Sequence, residues 1–239
     1  MLTSIFSAKT PYLLIISLLS GMALAKPQTV EQANTITEIT HAAYTGNIEA
    51  LQVLSEQTTG YSQAYVLYRQ AQQSMQNTDT SQFKQTVKKA ENLLVNETDM
   101  ESQVLLASIY GLMIAEDPSA GARLGPQIGS LLYKTKQDPI AGSRALLLEG
   151  IGKLYTPAEY GGGADHAESI LKLAIERFDA VPVNTPINWG KTESHIWLGV
   201  AYAKQDKSTL AKAAFNKALE LDPECTWVHY FAKNAGIEL

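Results

Sequence analysis

The chain is poor in the residues that carry covalent, redox and metal chemistry. Cys225 is its single cysteine, so an internal disulfide and a thiolate metal cage are both excluded. A lone thiol is either a small packing residue or a bridge to another chain. Four histidines, His41, His166, His195 and His229, are scattered without metal-ligand spacing. No G-x-S-x-G, no H-E-x-x-H and no phosphate-binding P-loop occurs, so neither an enzyme class nor a cofactor is indicated. Basic clusters are also missing, and the formal net charge is −5, which argues against nucleic acid and anionic membrane surfaces as partners. No stretch alternates apolar and polar residues as a half-buried strand would.

Long apolar runs are absent too. The run at residues 12–19 is too short to span a bilayer as a helix. It follows Lys9 and precedes Ala23-Leu24-Ala25, a small-x-small cleavage signature, so residues 1–25 read as a signal peptide. The expectation is an exported, most simply periplasmic protein, with residues 26–239 forming one helical repeat domain. After cleavage no stable membrane insertion is expected.

What remains is a string of helix signals. Capping and breaker residues divide the chain into about ten to eleven helices. Thr29-x-x-Gln32, Asp79-x-x-Gln82, Thr98-x-x-Glu101 and Asp165-x-x-Glu168 carry capping-box spacing. Gly60, Asp117-Pro118, Asp138-Pro139 and Thr156-Pro157 mark boundaries, and Gly125-Pro126 should kink or restart the helix it falls in. Residues 181–189 contain Pro182 and Pro186 and read as an extended linker. A closing helix is expected over 223–234, with Asp222 as its cap and Pro223 in its first turn.

The clearest pattern lies in residues 192–225. Leu198 and Gly199 are followed by Tyr202, then by Ala211, Phe215 and Ala218 at i, i+4 and i+7, and by Pro223. The glycine admits a neighbouring helix, and Phe215 is the knob between two small residues. Ile151-Gly152-x-x-Tyr155 has the same form, and Leu106-Ala107-x-x-Tyr110 and Ala64-Tyr65-x-x-Tyr68 are weaker versions. The tyrosines Tyr68, Tyr110, Tyr155 and Tyr202 follow one another at intervals of 42, 45 and 47 residues. Second-helix stripes recur as Ala167, Leu171, Ala174 and as Phe83, Val87, Ala90.

This order resembles the tetratricopeptide repeat, a pair of antiparallel helices stacked along a solenoid with a period of ~34 residues. The resemblance implies an all-α helical-hairpin solenoid and a non-enzymatic scaffold binding a protein or peptide partner in its concave face. In the register above, that face includes Val104, Ser108, Glu149, Lys153, Ile196, Val200 and Lys204. Glu149 and Lys153 are spaced to pair on the surface. Tyr160, Trp189 and Trp227 are large aromatics near helix ends, either anchors for a partner or lids on the core. A homo-oligomer is compatible with all of this.

The loop at 156–163 is unusual in carrying Pro157, Tyr160 and three glycines, Gly161 to Gly163, where a tight turn is ordinarily found. It leads into a helix N-terminus, which offers free N–H groups to an anion. Residues 146–178 also resemble, loosely, the exported tetratricopeptide components associated with tripartite substrate transporters. That implies an alternative role as a small-ligand accessory protein, with the loop bordering a pocket.

Overall fold

The computed structural model describes residues 30–182 and 185–239. The expected signal peptide and the Thr29 cap lie outside the described residues. Within them are eleven α-helices and no strand. They are α1 (Val30–Tyr44), α2 (Ile48–Gln57), α3 (Gly60–Gln76), α4 (Thr80–Leu94), α5 (Met100–Glu116), α6 (Gly121–Thr135), α7 (Ala141–Tyr155), α8 (Ala164–Ala180), α9 (Lys191–Ala203), α10 (Ser208–Leu221) and α11 (Thr226–Asn234). Short 3-10 turns sit at Pro118–Ala120 and Ala158–Tyr160.

Consecutive helices pair as hairpins, α1 with α2 through α9 with α10, and α11 closes the last pair. The first helices, α1, α3, α5, α7 and α9, pack successively on one another as an inner layer. Each second helix lies outside, against its own partner and the next first helix. All three apolar stripes of second helices are buried: Phe83, Val87 and Ala90; Ala167, Leu171 and Ala174; Ala211, Phe215 and Ala218.

Several caps differ from the sequence expectation because tertiary partners compete for the same carboxylates. Asp79 does cap α4 by accepting from the Gln82 N–H at 3.0 Å. The cap of α5, however, is Asp99, accepting from Ser102 N–H at 3.0 Å, while Glu101 is drawn away to Arg144 on α7. Asp165 and Glu168 form no capping box at α8, whose N-cap is Gly163. Lys172 and Lys207 instead hydrogen-bond Glu168 and hold its carboxyl down at about 2. Asp222 does not cap the last helix, since it accepts from the Thr192 hydroxyl, and α11 starts three residues after Pro223. Helix α6 runs through Gly125-Pro126 without restarting. Pro126 lies in its second turn, and the carbonyl it leaves unpaired belongs to exposed Ala122, where water can serve it.

The repeat register of the α7–α8 hairpin is also corrected. A side chain on Gly199 would put its Cβ 2.9 Å from the Phe215 ring, so this glycine does let α10 close on α9. In α7 the equivalent residue is Gly150, whose added Cβ would stand 2.7 Å from Leu171 Cγ. Gly152 faces open space, Ile151 is half-buried and Tyr155 is 65% exposed, so these three do not form the packing signature that their spacing suggested. The loop of 156–163 lengthens this hairpin, and the close approach occurs where the helices cross. Gly150→Ala should therefore cost about 1–3 kcal/mol by overpacking. Gly152→Ala should add about 0.5–1 kcal/mol through helix propensity. Denaturant midpoints of the two variants should move in opposite directions.

Candidate functional site

The inner layer is not an open groove. Val104, Ser108, Ile196 and Val200 are all buried, so four residues assigned to a free concave face belong to the core. The chain itself fills the interior. Its linker enters between the first helices with Thr185 and Ile187 buried and Trp189 only 2% exposed. Trp189 Nε1 donates to the Tyr61 hydroxyl of α3 at 2.9 Å, and its carbonyl accepts from Arg144 Nη1 at 3.1 Å. Trp227 is buried as well, edge-on to Tyr44 at 5.7 Å. Both tryptophans thus close the core instead of anchoring a partner.

Two fully buried arginines organise this interior. Arg69 of α3 pairs with Glu193 at the start of α9, and lies 4.9 to 5.8 Å from the ring centroids of Tyr44, Tyr65, Tyr68, Trp189 and Trp227. Its Nε and Nη2 also donate to the Tyr65 hydroxyl, at 3.0 and 2.6 Å. Arg144 of α7 pairs with Glu101 of α5, its Nε donating to Oε2 at 2.8 Å. Buried guanidinium groups require such pairing, because an unpaired charge costs several kcal/mol. Burial raises the phenol pKa values of Tyr44, Tyr61 and Tyr65, and that of Tyr68 to about 12, so these rings are neutral walls, and the hydroxyls of Tyr61, Tyr65 and Tyr68 accept from Trp189, Arg69 and Gln72. Sequence reading passed over Arg69, although Tyr61, Tyr65 and Tyr68 place aromatics at i, i+4 and i+7 on one helix face beside it.

The bend at Gly190 holds this arrangement. Its φ is 111°, a left-handed value suited to glycine, and a Cβ there would stand 2.6 Å from Phe178 Cζ. The Gly190 N–H donates to Glu193 Oε2 at 2.9 Å, so one carboxylate both caps α9 and neutralises Arg69.

The remaining site candidates sit at the surface. Glu149 pairs with Lys136 at 2.8 Å, across α6 and α7, not with Lys153. Lys153 Nζ donates to the Gly161 carbonyl at 2.7 Å and closes the loop onto α7. Gly161 and Gly163 have φ of 75° and 105°, whereas Gly162 is packed against Thr156. The loop is thus an ordered connector with Tyr160 75% exposed. It borders neither the cleft over α3 nor the one beside Asn188 and Lys191, so neither of these supports the small-ligand reading of the loop.

Lys204 is exposed and stands over the Tyr155 ring at 5.9 Å. Beside it runs an aromatic row: Tyr155 is 6.1 Å from half-buried Trp197, Trp197 is 4.8 Å from Phe231, and Phe231 is 5.3 Å from Tyr230. Tyr155 and Tyr230 are exposed at the two ends of the row. This platform joins α7, α9 and α11 at one end of the stack. Sequence reading assigned Tyr155 to packing and missed Trp197, Tyr230 and Phe231, which come together only when α11 folds back on α9.

A cleft of about 1170 Å³ lies elsewhere, between α2 and α4 above α3. A smaller one of about 240 Å³ is bordered by Thr37, His41, Asn188, Lys191 and Asp222. Among the described residues no group of three or more His, Cys, Asp and Glu side chains is placed to hold a metal. No described helix is long and apolar enough to cross a membrane. His195 is buried in the core, and burial lowers its pKa. Burial raises the Cys225 thiol to about 12, which leaves it unreactive where it precedes α11.

Residues 192–225 match the family model of the tetratricopeptide repeat. No curated protein and no solved structure matches the chain. The matched segment covers α9, α10 and the turn toward α11, and the same hairpin packing continues through the helices before it. Residues 192–225 are therefore a tetratricopeptide repeat, and the described helices before them continue an all-helical hairpin architecture of the same kind.

Proposed function

We propose that the protein is an exported, non-enzymatic scaffold that holds a protein partner on the aromatic platform of its last repeat. Tetratricopeptide hairpins are in general interaction modules without catalysis. The observation that carries the reading is the row Tyr155, Trp197, Phe231 and Tyr230 with Lys204 beside it, on the matched repeat and its neighbours. Exposed aromatic groups joined to a cation are what protein interfaces select, because large rigid rings bury much area at small entropic cost. Export rests on the reading of residues 1–25, and a single buried thiol is compatible with an oxidising compartment such as the periplasm. The interior offers no alternative groove, since the linker and the two arginines occupy it.

A photo-crosslinking phenylalanine placed at Tyr155 tests the reading in the exported compartment. A discrete heterologous protein adduct is expected at Tyr155 and not at Tyr133, an exposed ring on α6. Lys204→Glu should reduce the adduct severalfold while leaving helicity unchanged. Equal labelling at both positions, or none at Tyr155, would remove the platform as the docking site.

A further inference from the structure

The cleft of about 1170 Å³ has α3 as its floor, with α2 and α4 as its walls. It exists because the second helices pack on first helices, leaving a gap between α2 and α4. Its position is the outer side of the solenoid, away from the filled interior and from the C-terminal platform. The chemistry of the lining is distinctive. Gln52, Gln73, Gln82, Gln85 and Asn92 present primary amides, and Thr86 presents a hydroxyl. No aromatic residue lines it, and its charged groups are few.

Two of these side chains are nearly buried and yet unpaired. Gln73 is 8% exposed and Thr86 is 6% exposed, both line the cleft, and neither side chain hydrogen-bonds another described residue. Buried amides and hydroxyls are ordinarily satisfied, since a lost partner costs free energy comparable to the bond itself. The polar atoms of Gln73 and Thr86 keep contact with solvent through the cleft, so that is the direction from which a partner reaches them. The floor is also held in advance. Gln63 Nε2 donates to the Ser55 carbonyl at 3.1 Å and Gln70 Nε2 to the Leu51 carbonyl at 3.2 Å, fixing α2 against α3.

We propose that this cleft binds an extended, weakly charged polypeptide segment by its backbone. A primary amide offers one planar donor face and one acceptor, the complement of a peptide unit's C=O and N–H. The amides of Gln73 on the floor and of Gln52, Gln82, Gln85 and Asn92 on the walls can therefore pair with successive peptide units, while the polar, weakly charged lining selects among the side chains those units carry. The floor from Gln63 to Asn77 is roughly 20 Å long at the helical rise per residue. An extended strand advances ~3.3 Å per residue, so about six residues span it. Leu67 and Leu93 supply apolar spots for alternate side chains, and Glu56, Asp79 and Lys89 leave no strong field to select charge. A glycan would use the same amides, but the aromatic face on which sugar rings commonly stack is missing from the lining.

The test is selection from a random octapeptide phage library on the purified protein, followed by affinity measurement of the recovered peptide. Expected are polar, weakly charged octapeptides whose affinity falls about tenfold with Gln73→Leu and with Gln85→Ala. N-methylation of alternate backbone nitrogens in the peptide should abolish binding, and Lys204→Glu on the platform should leave it unchanged. Gln85 is exposed on α4, so its variant keeps the test valid should the Gln73 variant fold poorly. A library that yields no enriched sequence overturns the proposal. So does a peptide that tolerates both substitutions or backbone N-methylation, or a neutral oligosaccharide that binds in its place.

Discussion

Glu193→Ala is expected to lower the free energy of unfolding by about 3–5 kcal/mol, the cost of leaving one buried charge without its partner. Arg69 has no exposed side-chain surface, and its other contacts are phenols, indoles and Gln72, which hydrogen-bond or polarise but carry no negative charge. The same substitution removes the acceptor for the Gly190 N–H at the start of α9. For a chain of this size the midpoint of thermal unfolding should fall on the order of 10 °C.

The substitution should also change the form of the transition. A solenoid couples only neighbouring repeats, so its ends can unfold separately. Here Arg69 joins α3 to α9 directly, and further ties run between the chain's two ends. Thr226 Oγ1 donates to the Tyr44 carbonyl at 2.7 Å, and Asn188 Nδ2 donates to Thr37 Oγ1 at 3.0 Å. Wild-type protein should unfold in one transition by calorimetry, whereas the Glu193→Ala variant should show two. Replacing both partners with apolar residues, Arg69→Met with Glu193→Leu, should recover most of the lost stability, since no charge is then stranded. A double variant as unstable as the single one would place the effect in the lost cap and not in the ion pair.

Phe215→Ala should cost about 3–5 kcal/mol, a combination of lost burial and the cavity left behind. Phe215 has no exposed surface, and its ring fills the space that Gly199 leaves open. No neighbouring side chain can take its place from α9, because the residue facing it is a glycine. The loss should be confined in space. Hydrogen exchange should quicken across α9, α10 and α11, while α4 to α6 keep wild-type protection, as nearest-neighbour coupling requires. A uniform loss of protection would mean that the long-range ties dominate over the stacking of repeats.

The all-helical architecture was legible in the sequence. Turn and cap residues bound helices without regard to what they later pack against, and Ala211, Phe215 and Ala218 mark a buried stripe by spacing alone. The α7–α8 hairpin shows where this fails. Gly150 and Gly152 both lie in α7, and both precede a plausible packing position. Which one meets α8 depends on the crossing point, and the 156–163 loop shifts that point in a way no local pattern records. Capping boxes failed for a related reason. Glu101 and Glu168 carry the right spacing, but Arg144, Lys172 and Lys207 offer stronger partners from other helices.

The candidate sites were less legible still. The glutamine and asparagine side chains of the outer cleft come from α2, α3 with its C-terminal end, and α4, and each alone reads in the sequence as an ordinary polar residue. The supposed concave groove was closed by a segment that proline content had marked merely as a linker. Its Trp189 is buried because Tyr61, Tyr65 and Tyr68 of α3 and Arg144 of α7 meet around it. By itself, then, the sequence determined the helices, their hairpin pairing and the identity of the last repeat, since these follow from local propensity and periodic burial. Tertiary structure alone decided that the inner face is filled and the outer face is open, because the curvature of a helical stack is set by small packing offsets between repeats, summed along the chain.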